Sequence, residues 1–269
     1  MKVFDFAPEG TEDCRVTAII HDNHESDARD PYKHPTVIVC PGGGYGMLSD
    51  REAEPAARAY YGAGYNAFIL YYALGEQARD LRPLCQLAAT VAHVRKNARK
   101  WNVDPDKVVV CGFSAGGHLA GSMGTLFNEE RFLKAFDRDE HIRPDAMVLC
   151  YPVITADEYA HVGSIETVSG ADKGSPDYEW FGLDQHVDAQ TPPAFLWHTA
   201  SDDCVPVENS LKMAAALSAA KVPFELHVFP DGAHGMSTCT REVGTYNPYN
   251  ARWVEWSIKW LNRLFGFVC

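Results

Sequence analysis

Short apolar runs recur along this chain, and amphipathic stretches fill most of the gaps between them. Residues 36–40 (TVIVC), 66–72 (NAFILYY), 108–111 (VVVC), 146–150 (AMVLC), 194–198 (AFLWH) and 224–229 (FELHVF) read as strands. Most are continuously apolar rather than alternating, as a strand covered on both faces must be. Residues 2–6 and 15–20 add two strands at the start, split by a Pro8-Glu9-Gly10 turn. Helical stripes lie between. Over 84–100, Leu84, Leu87, Ala88, Val91 and Val94 line one face and basic residues crowd the C-terminal end. Residues 52–61, closed by Gly62 and Gly64, and 207–220 are two more helices. The last, 249–265, carries Trp253, Trp256 and Trp260 at helical spacing, as core positions. The alternation predicts an α/β fold. Its central sheet is mostly parallel, with helices on both faces, in a single domain over 1–269 without repeats or linkers.

Two segments break the alternation. The polar stretch 21–34 reads as a loop, and its His21, His24 and His34 lack the carboxylates or cysteines of a ligand set, so no metal is expected. Residues 151–193, after the sixth strand, form a long irregular stretch of the kind used as a lid or binding loop. Its Tyr159, Tyr178, Trp180 and Phe181 either pin the segment to the body or wall a substrate pocket.

Composition narrows the partners. With 46% hydrophobic and 22% charged residues the chain can bury a large core. A net charge of −12 disfavours nucleic acid and anionic membranes. The eight cysteines show no C-x-x-C spacing, and Cys40, Cys111 and Cys150 end apolar runs, as buried small hydrophobes do. The N-terminus has no hydrophobic signal core and no stretch approaches 18 apolar residues, so a cytoplasmic chain is expected unless a leader has been removed.

The chemistry centres on strand 108–111, which runs into Gly112-Phe113-Ser114-Ala115-Gly116 and a following helix. This is G-x-S-x-G in its context of strand, sharp turn and helix. The turn strains the serine backbone, projects its hydroxyl, and leaves no room for side chains at the flanking glycines. A second glycine loop, Pro41-Gly42-Gly43-Gly44-Tyr45, follows an earlier strand and can aim N–H groups at one point. Met47 breaks a G-x-G-x-x-G reading and no GK[ST] follows, so a nucleotide site is not expected. An acidic loop (Asp202, Asp203) after 194–198 and a histidine loop (His234) after 224–229 complete the order Ser, Asp, His.

Taken together, PGGGY, NVDPDKVVVCGFSAGGHLA, HTASDDCVPVENS and FPDGAHG resemble bacterial α/β-hydrolase esterases of the acetyl-xylan-esterase-like group. These are related to hormone-sensitive-lipase and prolyl-oligopeptidase-type hydrolases, and the likeness covers 37–264. It implies Ser114 as nucleophile, His234 as base and Asp202 as orienting acid. Asp202, rather than Asp203, has the D-x-x-V-P spacing to Val205 and Pro206. Gly43, Gly44 and Ala115 become oxyanion donors. Pro41 stands where the related pattern has histidine, and His198-Thr199 where it often has His-Gly, which leaves His198 as a packed or hydrogen-bonding residue. The resemblance implies a serine esterase that removes short acyl groups from small esters, foremost acetyl from xylan-derived oligosaccharides, without metal or organic cofactor. Tyr45, Tyr72 and Trp180 are candidates to stack on sugar rings. A feruloyl or general carboxylesterase, an arylformamidase or small peptidase, and a non-catalytic binding protein on the same scaffold are the alternatives. Oligomeric state is not legible.

Overall fold

The computed structural model describes residues 1–22, 33–138 and 141–268. His24, one of the three histidines considered for a metal, and Cys269 lie outside them. Strands β1 (Lys2–Phe6), β2 (Arg15–Ile20) and β3 (His34–Cys40) lead to helix α1 (Glu54–Gly62) and strand β4 (Asn66–Tyr71). Helices α2 (Arg82–Lys96) and α3 (Ala98–Trp101) precede β5 (Val103–Phe113), followed by α4 (Ala115–Thr125), α5 (Glu130–Phe136) and β6 (Ala146–Cys150). After α6 (Val162–Ser169) and α7 (Pro176–Glu179) come β7 (Ala194–Thr199), α8 (Glu208–Ala219), β8 (Phe224–Phe229) and α9 (Arg252–Phe265).

Among the described residues the strands form one eight-stranded sheet in the order β1-β2-β4-β3-β5-β6-β7-β8. Only the β1–β2 and β2–β4 pairs are antiparallel, and β3 through β8 run parallel. The two-residue side-chain period then sorts the apolar runs. Ile38, Cys40, Val108 and Val110 join one core cluster with Leu87 and Val91 of α2 and Leu119 and Met123 of α4. Val37, Val39, Val109, Cys111 and Phe113 join the other, with Ala57 and Tyr60 of α1 and Trp253 and Leu261 of α9. A strand with hydrophobes on both faces has no solvent side, which is why these runs do not alternate.

The last helix carries its tryptophans unequally. Trp253 is fully buried and stacks 5.1 Å from Trp197, while Trp256 and Trp260 are half-buried against Phe229 and Phe195. The helix expected over 84–100 stops at Lys96, and Asn97 turns the chain into α3. Strand β5 begins at Val103, ahead of the apolar run at 108–111, because Val103 pairs with His34 before an irregularity in the β3–β5 register.

The segment 151–193 is more structured than a loop. Its α6 is capped by the His161 side chain, which accepts from the N–H of Ser164. Its α7 is capped by Ser175, followed by Pro176. That Ser-Pro pair was a legible helix start. Tyr178 and Phe181 are buried in the body of the protein, so these two aromatics pin the segment.

Candidate active site

Ser114 sits where β5 ends and α4 begins, at φ 54° and ψ −119°. That region is costly for a residue with a side chain, and neighbours on three sides impose it. The Ser114 N–H donates to Cys150 O at 3.0 Å, and its carbonyl accepts from His118 N–H (3.0 Å) and Val153 N–H (3.1 Å). The glycines behave as the motif requires. A Cβ on Gly112 would lie 2.0 Å from Gly116 O, and one on Gly116 would lie 2.1 Å from Cys40 O.

The acidic and histidine loops converge on this turn from β7 and β8. His234 Nε2 lies 2.8 Å from Ser114 Oγ, and its Nδ1 lies 2.8 Å from Asp202 Oδ2. The Asp202 side chain is 1% exposed and that of His234 18%. Oδ1 of Asp202 accepts from the N–H groups of Cys204 (3.0 Å) and Val205 (2.9 Å). With one oxygen filled by backbone donors, the other is directed at the imidazole. Burial disfavours the Asp202 anion, but hydrogen bonds from His198 and His234, the charge of His234 and the Val205 N–H outweigh it. Its carboxyl is held well below the usual carboxylate range. Asp203, one residue on, is exposed. His198 is fully buried, with Nδ1 2.8 Å from Ser210 Oγ and Nε2 2.9 Å from Val205 O, so it braces the acidic loop.

The glycine loop after β3 faces Ser114 from the other side. A Cβ on Gly42 would meet Phe113 O at 2.7 Å and Ser114 Cβ at 3.0 Å, so the loop backbone touches the turn at Ser114. Gly43 has φ 128°, and its carbonyl accepts from Gly46 and Met47 N–H. Among the described residues no group accepts from the N–H of Gly43, Gly44 or Ala115. Free N–H groups in a loop beside a helix N-terminus are the donors an oxyanion needs.

Tyr45 and Tyr72 do not line an open surface, which corrects the stacking role expected of them. They are 1% and 3% exposed. Tyr72 Oη donates to Pro41 O (2.5 Å), and Tyr45 Oη donates to His118 Nδ1 (2.8 Å). Tyr72 thus braces the start of the glycine loop, and Tyr45 ties its end to α4. Trp180 is half-buried under the Arg131 guanidinium, 4.6 Å away, and packs on Phe181 and His186. None of these contacts is with Ser114, Asp202 or His234.

Two histidines carry structure that sequence reasoning missed. His118, one turn after Ser114, is fully buried; its Nε2–H donates to Phe181 O (3.0 Å) while Nδ1 accepts from Tyr45. Burial pushes its pKa down to about 4, so it is a neutral strut joining α4, the glycine loop and the 151–193 segment. Its signal was a lone histidine among glycines and alanines in an apolar helix. His161 caps α6, and burial and then the charge of His234 lower its pKa. The neighbouring Ser164 Oγ would lie 3.8 Å from a Cβ on Gly44, so this cap abuts the glycine loop. Among the described residues no group of three His, Cys, Asp or Glu could hold a metal, and no helix is long and apolar enough to cross a membrane.

A mostly parallel sheet with a serine at the strand-to-helix turn after β5, an acid on the loop after β7 and a histidine on the loop after β8 defines an α/β-hydrolase of esterase-like type. The family follows from sequence: the BD-FAE family model matches residues 25–217, and the chain belongs to that family. It is 40% identical over 216 residues to endo-1,4-beta-xylanase B of Butyrivibrio fibrisolvens, covering 79% of this chain and 34% of that protein. It is 30% identical over 235 residues to an acetylxylan esterase of Xylanibacter ruminicola, covering 85% of this chain and 45% of the relative. The chain thus spans less than half the length of these two relatives. An acetyl ester-xyloside bifunctional hydrolase from Caldicellulosiruptor lactoaceticus superposes with a TM-score of 0.81 at 36% identity, over 95% of this chain and 89% of that one.

Proposed function

We propose that this chain is one hydrolase domain that cleaves carboxylic esters with Ser114, His234 and Asp202. Short acyl groups, foremost acetyl on xylan-derived oligosaccharides, are its substrates. The observation that carries the chemistry is the continuous chain from Ser114 Oγ through both nitrogens of His234 to Asp202, with 2.8 Å at each link. Asp202 holds the tautomer with hydrogen on Nδ1, leaving Nε2 to take the Ser114 proton.

In the first half-reaction Ser114 Oγ bonds to the ester carbonyl carbon as its proton passes to His234 Nε2. The carbonyl oxygen becomes an oxyanion facing the N–H groups of Gly43, Gly44 and Ala115. Collapse breaks the bond to the leaving oxygen, which receives the proton from His234, and an acyl-enzyme remains. Water repeats the sequence, losing its proton to His234 and releasing the acid while Ser114 recovers its hydrogen.

The substrate side draws on kinship, because an acetylxylan esterase and an acetyl ester-xyloside hydrolase stand among the relatives. The test is acetate release from acetylated xylo-oligosaccharides, with p-nitrophenyl acetate as the activated control. Release that vanishes in Ser114→Ala supports the whole reading. Turnover of the activated ester alone keeps the esterase and removes the sugar.

A further inference from the structure

Glu52 is 3% exposed, and no lysine, arginine or histidine pairs with it among the described residues. An unpaired buried carboxylate is costly and is retained only where hydrogen bonds replace water. Both oxygens here are used, and by different loops. Oε2 accepts from the N–H of Gly42 at 2.8 Å, and Oε1 from the hydroxyl of Tyr151 at 2.6 Å. Tyr151 Oη in turn accepts from the N–H of Ser237 at 2.8 Å, on the loop that carries His234. The Tyr151 ring lies edge-on to His234 with centroids 5.1 Å apart. A second link runs beside the first, from Ser237 Oγ to Arg51 O at 2.5 Å.

The polarity of this chain admits little substitution. The Ser237 N–H can only donate, so the tyrosine hydroxyl accepts there and its hydrogen is committed to Glu52. Gly42 N–H can only donate as well. Position 52 must therefore supply two acceptors and no donor, which a carboxylate does and a carboxamide does not. We infer that Glu52 is a positioning residue. Its carboxylate ties the glycine loop to the histidine loop and so fixes the Gly43 and Gly44 N–H groups relative to His234 Nε2. Gly42 transmits the tie, since a Cβ there would sit 2.6 Å from Glu52 Oε2 and 3.0 Å from Ser114 Cβ.

The inference rests on the hydrolase reading above and adds to it a residue that never meets substrate. Its test is steady-state turnover of p-nitrophenyl acetate by wild type, Glu52→Gln, Tyr151→Phe and the double variant, counted per folded molecule by circular dichroism. Glu52→Gln must turn an NH2 group towards one of two donors. Tyr151→Phe strands the Ser237 N–H. A misplaced oxyanion loop weakens the transition state and spares ground-state binding, so kcat should fall roughly 10²-fold with KM within about threefold. The double variant should lose little more than the worse single one, because both cut the same tie. Folded variants with unchanged kcat, or with a raised KM alone, would overturn the assignment. If Glu52→Gln does not fold, Tyr151→Phe decides by the same criterion. A wild type without ester turnover would sink the hydrolase reading itself, and this inference with it.

Discussion

Replacing Asp202 by asparagine exchanges one carboxylate oxygen for an NH2 group, and the surroundings dictate which one. Oδ1 accepts from two backbone N–H groups, so the amide oxygen must stay there. The NH2 then occupies the position of Oδ2, against His234 Nδ1 at 2.8 Å and His198 Nε2 at 3.3 Å. His234 can keep a hydrogen bond only by accepting at Nδ1, which puts its own hydrogen on Nε2, facing Ser114 Oγ. On the proposed mechanism the base is then in the wrong tautomer. A triad so altered loses on the order of 10⁴ in kcat, or about 5.4 kcal/mol at about 1.36 kcal/mol per tenfold. The fold should survive, because the volume and both Oδ1 bonds persist. The assay is p-nitrophenyl acetate turnover, with thermal melting as the control and Asp203→Asn as the companion variant. Asp203 is exposed, so its replacement should change kcat by less than about twofold. A folded Asp202→Asn within tenfold of wild type, or a larger loss in Asp203→Asn, would refute the tautomer argument.

Further outcomes follow from the same geometry. Burial drives the His118 pKa from 6.5 to about 4, so below pH 6.5 the unfolded chain binds a proton that the folded one refuses. Stability therefore falls as pH drops from there towards 4, by about 2 kcal/mol at pH 5. Urea unfolding at pH 7 and pH 5 should show wild type losing about that much more than His118→Gln, and equal losses would refute it. Trp180→Ala should cost about 2 kcal/mol through the Arg131, Phe181 and His186 contacts, with KM for acetylated oligosaccharides unchanged. A higher KM at an unchanged melting temperature would instead place Trp180 in the substrate wall.

The pattern of apolar runs specified the sheet because burial on both faces leaves little choice of residue. The runs at 36–40, 108–111 and 146–150 could only be covered central strands. G-x-S-x-G was legible for a related reason: backbone crowding within a few residues, as at Gly112 and Gly116, is a local constraint that local sequence must satisfy. The order Ser114, Asp202, His234 could be read because each lies just past a recognisable strand. What the tertiary structure decided is every contact whose partners are distant in sequence. The spacing to Val205 and Pro206 favoured Asp202 over Asp203, but its burial and its contact with His234, 32 residues on, come from the packing of the acidic loop, which leaves Asp203 exposed. Tyr45 and Tyr72 had the composition of a sugar platform, but aromatic residues serve a core as well as a surface. Their burial depends on elements up to 73 residues away, as in the Tyr45–His118 bond. Glu52 and Tyr151, 99 residues apart, carry no motif at all. A hydrogen bond between loops leaves no periodicity or spacing in the sequence, and only folding brings its donor to its acceptor.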